Sequence, residues 1–164
     1  MVSIVPQIFR TSVATIGRKG KENSVGFVSL HNHSDHSLRD GFQTVEQMLQ
    51  YASSIGQSAI ALTDHGTMSG CGEGFRLKST YGIKFIAGCE HYLCNDVTLK
   101  EKGVQHIILL VMDKTGYRNL NILTTKANSE KNFYNKPRLD LELLEQYNEG
   151  LICSTACLAG CQSK

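Results

Sequence analysis

FVSLHNH, residues 27–33, runs from a short apolar stretch, Phe27 to Leu30, straight into two imidazoles, His31 and His33. Side chains of an extended segment alternate, so both rings fall on one face and a single cation can be shared between them. The pattern returns three times. Thr63-Asp64-His65-Gly66 closes the run Ser58 to Leu62, Gly88-Cys89-Glu90 follows Phe85-Ile86-Ala87, and Gln105-His106 adjoins Ile107 to Met112. Four strands that each deliver a metal-type ligand to one rim describe a metal cluster at the mouth of a β/α barrel.

Between the first two strands, Thr44-Val-Glu-Gln47 is a capping box, and Val45, Met48, Leu49, Ala52 and Ile55 recur at helical spacing until Gly56. The unit reads β-loop-α-β. A second helix is expected from about Ser69 to Tyr81, weakened at its start by Gly70, Gly72 and Gly74 and stopped by Gly82 at C′. Further strands are expected at Lys84 to Ala87, Ile107 to Met112 and Leu151 to Ser154, with helices around Tyr117 to Ala127 and Leu141 to Tyr147. Strands that alternate with helices imply an α/β fold with parallel pairing and ligands at the C-terminal strand ends. Asn95 to Gly103 reads as a charged loop, and Pro137 marks another break.

At 164 residues and 41% hydrophobic content, one globular domain with a real core is expected. A net charge of +2 is too small to argue for nucleic-acid binding by charge alone. No run approaches the roughly 18 to 20 apolar residues of a membrane span. Residues 1–25 carry Arg10, Arg18, Lys19 and Lys21 before the first acid, Glu22, and read as a flexible leader ahead of a domain over 26–164. The six cysteines form no CxxC pair and sit mostly in apolar runs, with no secretory segment ahead of them, which fits reduced thiols in a cytoplasmic protein.

The ligand candidates carry unequal weight when read singly. Asp40, in Ser37-Leu-Arg-Asp-Gly41, and Asp64-His65-Gly66 read as turns, and His106 as a hydrogen-bonded core histidine. Glu90 is harder to dismiss, because an ionised carboxylate at a buried strand end is costly unless a cation or donor pairs with it. His91, its neighbour, is expected on the opposite face. Imidazole with carboxylate favours zinc, manganese or iron over calcium. A bridging Glu90 would let two ions sit close together, an arrangement suited to phosphoester hydrolysis without a separate nucleophilic side chain.

The stretches LHNHSDHSLRDG, AIALTDHGTMSG, GIKFIAGCEHYL, HIILLVMDKTGYRNL, NFYNKPRLDLELLEQYNEGL and STACLAG together resemble the PHP (polymerase and histidinol phosphatase) family. The likeness spans Phe27 to Gly160. GYRNL, KPRLDLELL and ACLAG point to the branch found at the N-terminus of bacterial DNA polymerase III alpha subunits. The resemblance implies a distorted seven-stranded (β/α)7 barrel and a site of up to three divalent ions, Zn, Mn or Fe. Its ligands map onto His31, His33, Asp40, His65, Glu90, His106 and Cys157. One ion would take His31, His33 and Glu90, a second Glu90, His106 and Cys157, and a third Asp40 and His65. By the chemistry of its own neighbourhood, Cys157 is equally well a ligand or ordinary core.

His36 and Arg39 replace the family's more usual tyrosine and leucine, and its later Asp-x-His pair has no counterpart before Lys164. The expectation is therefore an incomplete barrel with an open edge and low stability in isolation. The function implied is a metal-binding domain of a replicative polymerase, able at most to act as a 3′–5′ exonuclease or phosphoesterase, with His31, His33, His65 and Glu90 as the catalytic set. Its partners would be DNA or nucleotide phosphates and the remainder of an alpha subunit or other replisome proteins, with no membrane. A stand-alone metal-dependent phosphoesterase and a non-catalytic, metal-stabilised replisome docking module are the alternatives. Assay of metal content and phosphoester release separates them.

Overall fold

In the computed structural model the described residues are 26–38, 40–101 and 103–157. The expected leader over residues 1–25 lies outside them. Helix α1 (Val45–Ser54) begins where the sequence places it: the Thr44 hydroxyl accepts from the Gln47 N–H while the Gln47 side chain accepts from the Thr44 N–H. Val45, Met48, Leu49 and Ala52 form its buried stripe. Strand β1 (Ala59–Leu62) leads to α2 (Cys71–Leu77), shorter at both ends than its periodicity suggests, because the glycine-rich Gly70 cap has no side-chain hydrogen bond to hold the first turn.

Strand β2 (Lys84–Leu93) then runs the full width of the sheet, past the apolar stretch and through Glu90. β3 (Gln105–Val111), α3 (Lys114–Ala127), β4 (Arg138–Leu139), α4 (Leu141–Tyr147) and β5 (Leu151–Thr155) complete the order. The segment at Phe27–Leu30 makes one bridge, Ser29 to Ile60, rather than a full strand.

The strand order is β1-β2-β3-β5, with β4 alongside β2. β1 and β4 lie parallel to β2, as the alternation of strands and helices predicts. β2–β3 and β3–β5 are antiparallel, which departs from the all-parallel expectation. The reason is local: β2 and β3 are joined by a loop without a crossover helix, so the chain reverses. The reversal also corrects the expectation that every ligand ends its strand. His106 sits at the start of β3, paired with Tyr92 near the end of β2, and thus reaches the same rim from the opposite direction.

The two faces of the sheet divide the core. On the outer face, α1 and α2 cover Ile60, Leu62, Phe85 and Ala87, while α3 and α4 cover Cys89, Ile107 and Leu109. Among the described residues the inner face holds a small apolar floor, Ala61, Ile108 and Leu110, with Ile86 and Ala156 against it. Because side chains alternate, Glu90 and Tyr92 on β2 and His106 on β3 stand on that inner face, above the floor. No described helix is long and apolar enough to cross a membrane.

Candidate metal centre

Glu90 is 1% exposed, and the ion pairs found for it are all with imidazoles. Its two oxygens face different partners. Oε2 lies 2.7 Å from His31 Nε2 and 3.1 Å from His33 Nε2, while Oε1 lies 2.7 Å from His106 Nδ1. His65 Nδ1 approaches Oε2 at 3.8 Å, and its Nε2 lies 2.9 Å from Asp40 Oδ2. Cys157 Sγ stands 3.6 Å from His106 Nδ1, at the exposed edge of the group. All seven residues named from the sequence are therefore brought to one locus.

The first histidine pair is set without a regular strand. Asn32 points away from the site and donates to the carbonyls of Ser29 and Ala61, and Thr63 Oγ1 both accepts from the Asn32 N–H and donates to its carbonyl. Asp64 accepts from the backbone N–H and the hydroxyl of buried Ser34, at 2.6 and 2.8 Å, which pins the chain just past His33. Ser37 ties the last part, donating to Asp40 and accepting from the His65 N–H. Gly66 has a positive φ and packs against Pro137 so closely that a Cβ would collide with the proline ring, which fixes the turn carrying His65.

Electrostatics follow from burial and this crowding. Burial disfavours the Glu90 anion, but hydrogen bonds from His33 and His31 and the nearby rings outweigh it and hold the carboxyl at about 2. Asp40, raised by partial burial, is brought below its usual value by the Ser37 hydroxyl and His65. Asp64 moves the other way, burial prevailing over its Ser34 bonds. His33 is lowered by burial yet raised further by Glu90, whereas burial prevails at His65 and lowers it.

Three sets of residues place ligand atoms within 4.8 Å of one another: His31, His33 and Glu90; His33, Asp40 and His65; and His65, Glu90 and His106. His31 and His33 bring their Nε2 atoms to 3.1 Å from each other as well as onto one Glu90 oxygen. Two N–H hydrogens crowd such a triangle, and one cation satisfies it. His33 Nδ1 and His65 Nδ1 are buried without a hydrogen-bond partner. The donor set, imidazole nitrogens around a shared carboxylate, fits a divalent metal ion.

The PHP domain profile matches residues 29–163. The chain belongs to the PHP domain family. This PHP domain is 44% identical over 142 residues to the DNA polymerase III subunit alpha of Treponema pallidum, covering 83% of this chain and 12% of that protein. It is 38% identical over 148 residues to the same subunit of Aquifex aeolicus, covering 84% of this chain and 13% of that one. The matched part is the N-terminal region of those subunits. Among solved structures, an amidohydrolase from Chromobacterium violaceum matches with a TM-score of 0.49 at 26% identity, over 61% of this chain and 32% of that one.

Reading the PHP motifs residue by residue finds the ligand candidates and misses what holds them. Asp64 and Ser34 carry no metal-ligand signature, and Asp64 reads as a turn residue. Their one signal is that an acid directly beside a strand end needs a donor. His91 lies on the outer face as expected, where its Nε2 meets Thr124 Oγ1 on α3 at 3.2 Å and full burial brings its pKa down to about 4.

Proposed function

We propose that this PHP domain is the divalent-metal centre of a replicative polymerase alpha subunit and hydrolyses phosphoesters there, acting on the 3′ end of DNA as a 3′–5′ exonuclease. The observation that carries this reading is the buried Glu90 carboxylate, each oxygen at 2.7 Å from a different histidine and, among the described residues, with imidazoles as its ion-pair partners. A carboxylate so placed is costly unless cations share it. The names of the relatives, DNA polymerase III subunit alpha, support the setting, a cytoplasmic replication complex with DNA and the rest of such a subunit as partners.

In this reading His31, His33 and Glu90 hold one ion, and Glu90 with His106 and Cys157 a second. Asp40 and His65 complete a third position. Zinc, manganese or iron suits the set. When bound, such ions polarise a water and offset negative charge on the phosphoryl oxygens. Burial lowers the pKa of His65, which favours the neutral ring that a metal ligand must be, and its Nε2 lies 2.9 Å from Asp40 Oδ2, the other residue of that third position. The apolar floor of Ala61, Ile108 and Leu110 excludes water from beneath the carboxylate and strengthens every charge interaction above it.

Metal analysis of the purified chain, with release of p-nitrophenol or of mononucleotides from a 3′ end in Mn²⁺, tests the proposal. Bound metal and a rate abolished by His33→Ala and by Glu90→Ala are expected. Variants that keep both the parent's metal content and its rate overturn it.

A further inference from the structure

Four cations sit over aromatic rings among the described residues, and one of those rings touches the metal centre. Tyr92 is two residues beyond Glu90 on the inner face of β2. Its ring stacks on His65 with centroids 5.6 Å apart and meets His106 edge-on at 4.9 Å. Lys136 Nζ lies 4.4 Å from the centroid of that same ring. No described carboxylate pairs with Lys136, although Asp40 and Glu90 belong to the neighbouring cluster.

The segment that carries Lys136 is held firmly. Tyr134 and Lys136 bridge across Asn135, which has a φ of 59°, a tight reversal. Pro137 is wedged against Gly66, next to His65. Arg138, 1% exposed, donates to the carbonyls of Asn132, Leu99 and Val97 and locks the base of the turn to the loop after β2. Three anchors therefore hold the segment of Lys136, a half-buried residue whose ammonium pairs with no described carboxylate.

We propose that Lys136, seated on Tyr92, binds a phosphoryl oxygen of the substrate at the rim of the metal centre and so sets where a phosphoester lies relative to it. An ammonium is a compact charge suited to a phosphoryl oxygen, and the ring beneath it fixes its position without neutralising it. A lysine already ordered by its neighbours loses little freedom when the anion arrives. Lys136 is thus a binding residue, and the inference rests on the metal-centre reading above.

The experiment titrates inorganic phosphate into the Mn²⁺-loaded chain by calorimetry, for the parent, Lys136→Ala and Lys136→Arg, with metal content measured in each. Lys136→Ala is expected to weaken phosphate binding by about tenfold or more, the worth of one charge-assisted hydrogen bond, at unchanged metal content. Lys136→Arg, which keeps the charge, should recover most of it. With p-nitrophenyl phosphate as substrate, KM should rise in Lys136→Ala by more than kcat falls. If Lys136→Ala binds phosphate as tightly as the parent at equal metal content, or the metal-loaded parent binds none, the assignment of Lys136 fails while the metal centre stands. A parent that holds no metal removes both, and the metal analysis alone identifies that case. Should Lys136→Ala misfold by circular dichroism, Lys136→Gln serves, and it overturns the assignment on the same result.

Discussion

Glu90 and His106 stand on strands that are hydrogen bonded along their length, two residue pairs apart in the ladder, whereas His31, His33 and Asp40 stand on a segment with a single bridge to the sheet. The first half of the site inherits its geometry from the backbone ladder. The second half has two backbone bonds to the β1 segment, from Ala61 N–H to Ser29 and from Thr63 N–H to Asn32, and leans on side chains for the rest: Asn32 and Thr63 reinforce those bonds, and Asp64 and Ser37 fix the ends. Backbone ladders are cooperative and tolerate single substitutions, while a side-chain tether fails when one partner is removed. The metal centre should therefore be stiff on the β2–β3 side and dependent on a few polar residues on the other.

The largest expected effect comes from the residue common to both halves. Glu90→Ala leaves the histidines without a shared anion, a loss on the order of 3–5 kcal/mol for a buried charge set, read as near-complete loss of bound metal in a dialysed sample. Unchanged metal content there would break the comparison at its root.

Metal removal comes next. Metal present at about a hundredfold over its Kd adds about 2.7 kcal/mol to stability, so chelation should lower Tm by about 5–10 °C. Hydrogen exchange should then show amides of residues 31–37 losing protection while those of β2 and β3 keep it. Equal loss on both sides would mean that the ladder gives the rim no advantage.

Asp64→Asn is the sharper test, because Asp64 is in none of the ligand sets. Replacing one carboxylate oxygen by an amide nitrogen spoils one of its two Ser34 bonds, and residues of this supporting kind typically cost 10–100-fold in metal affinity. Titration of metal against a competing chelator measures it. The smallest effect belongs to the far side of the sheet: Thr124→Val removes the partner of His91 and should cost about 1 kcal/mol in chemical denaturation with no change in metal binding.

The elements that were legible from the sequence are those whose signal is local. The α1 capping box, the Gly56 and Gly82 stops, both with positive φ, and the apolar runs of β1 and β5 all depend on neighbours within a turn or a strand. β4, two residues long, gave no signal, because Arg138-Leu139 forms a strand only by lying beside Tyr92 and Leu93. Arg138 itself, a buried guanidinium, could not be recognised, since the carbonyls that receive it come from residues 97, 99 and 132.

Alternation along a strand is a property of the chain, so the sequence by itself determined that His31 and His33 share a face and that His91 turns away from Glu90. It also carried the candidate ligands, through motifs whose residue types suit one chemistry. Only the tertiary structure decided the direction of β3, the placing of His106 at the same rim from the other end, and the role of Asp64 as the tether of the histidine segment. Those outcomes depend on contacts between residues far apart in the chain, and such contacts exist only once the sheet has formed.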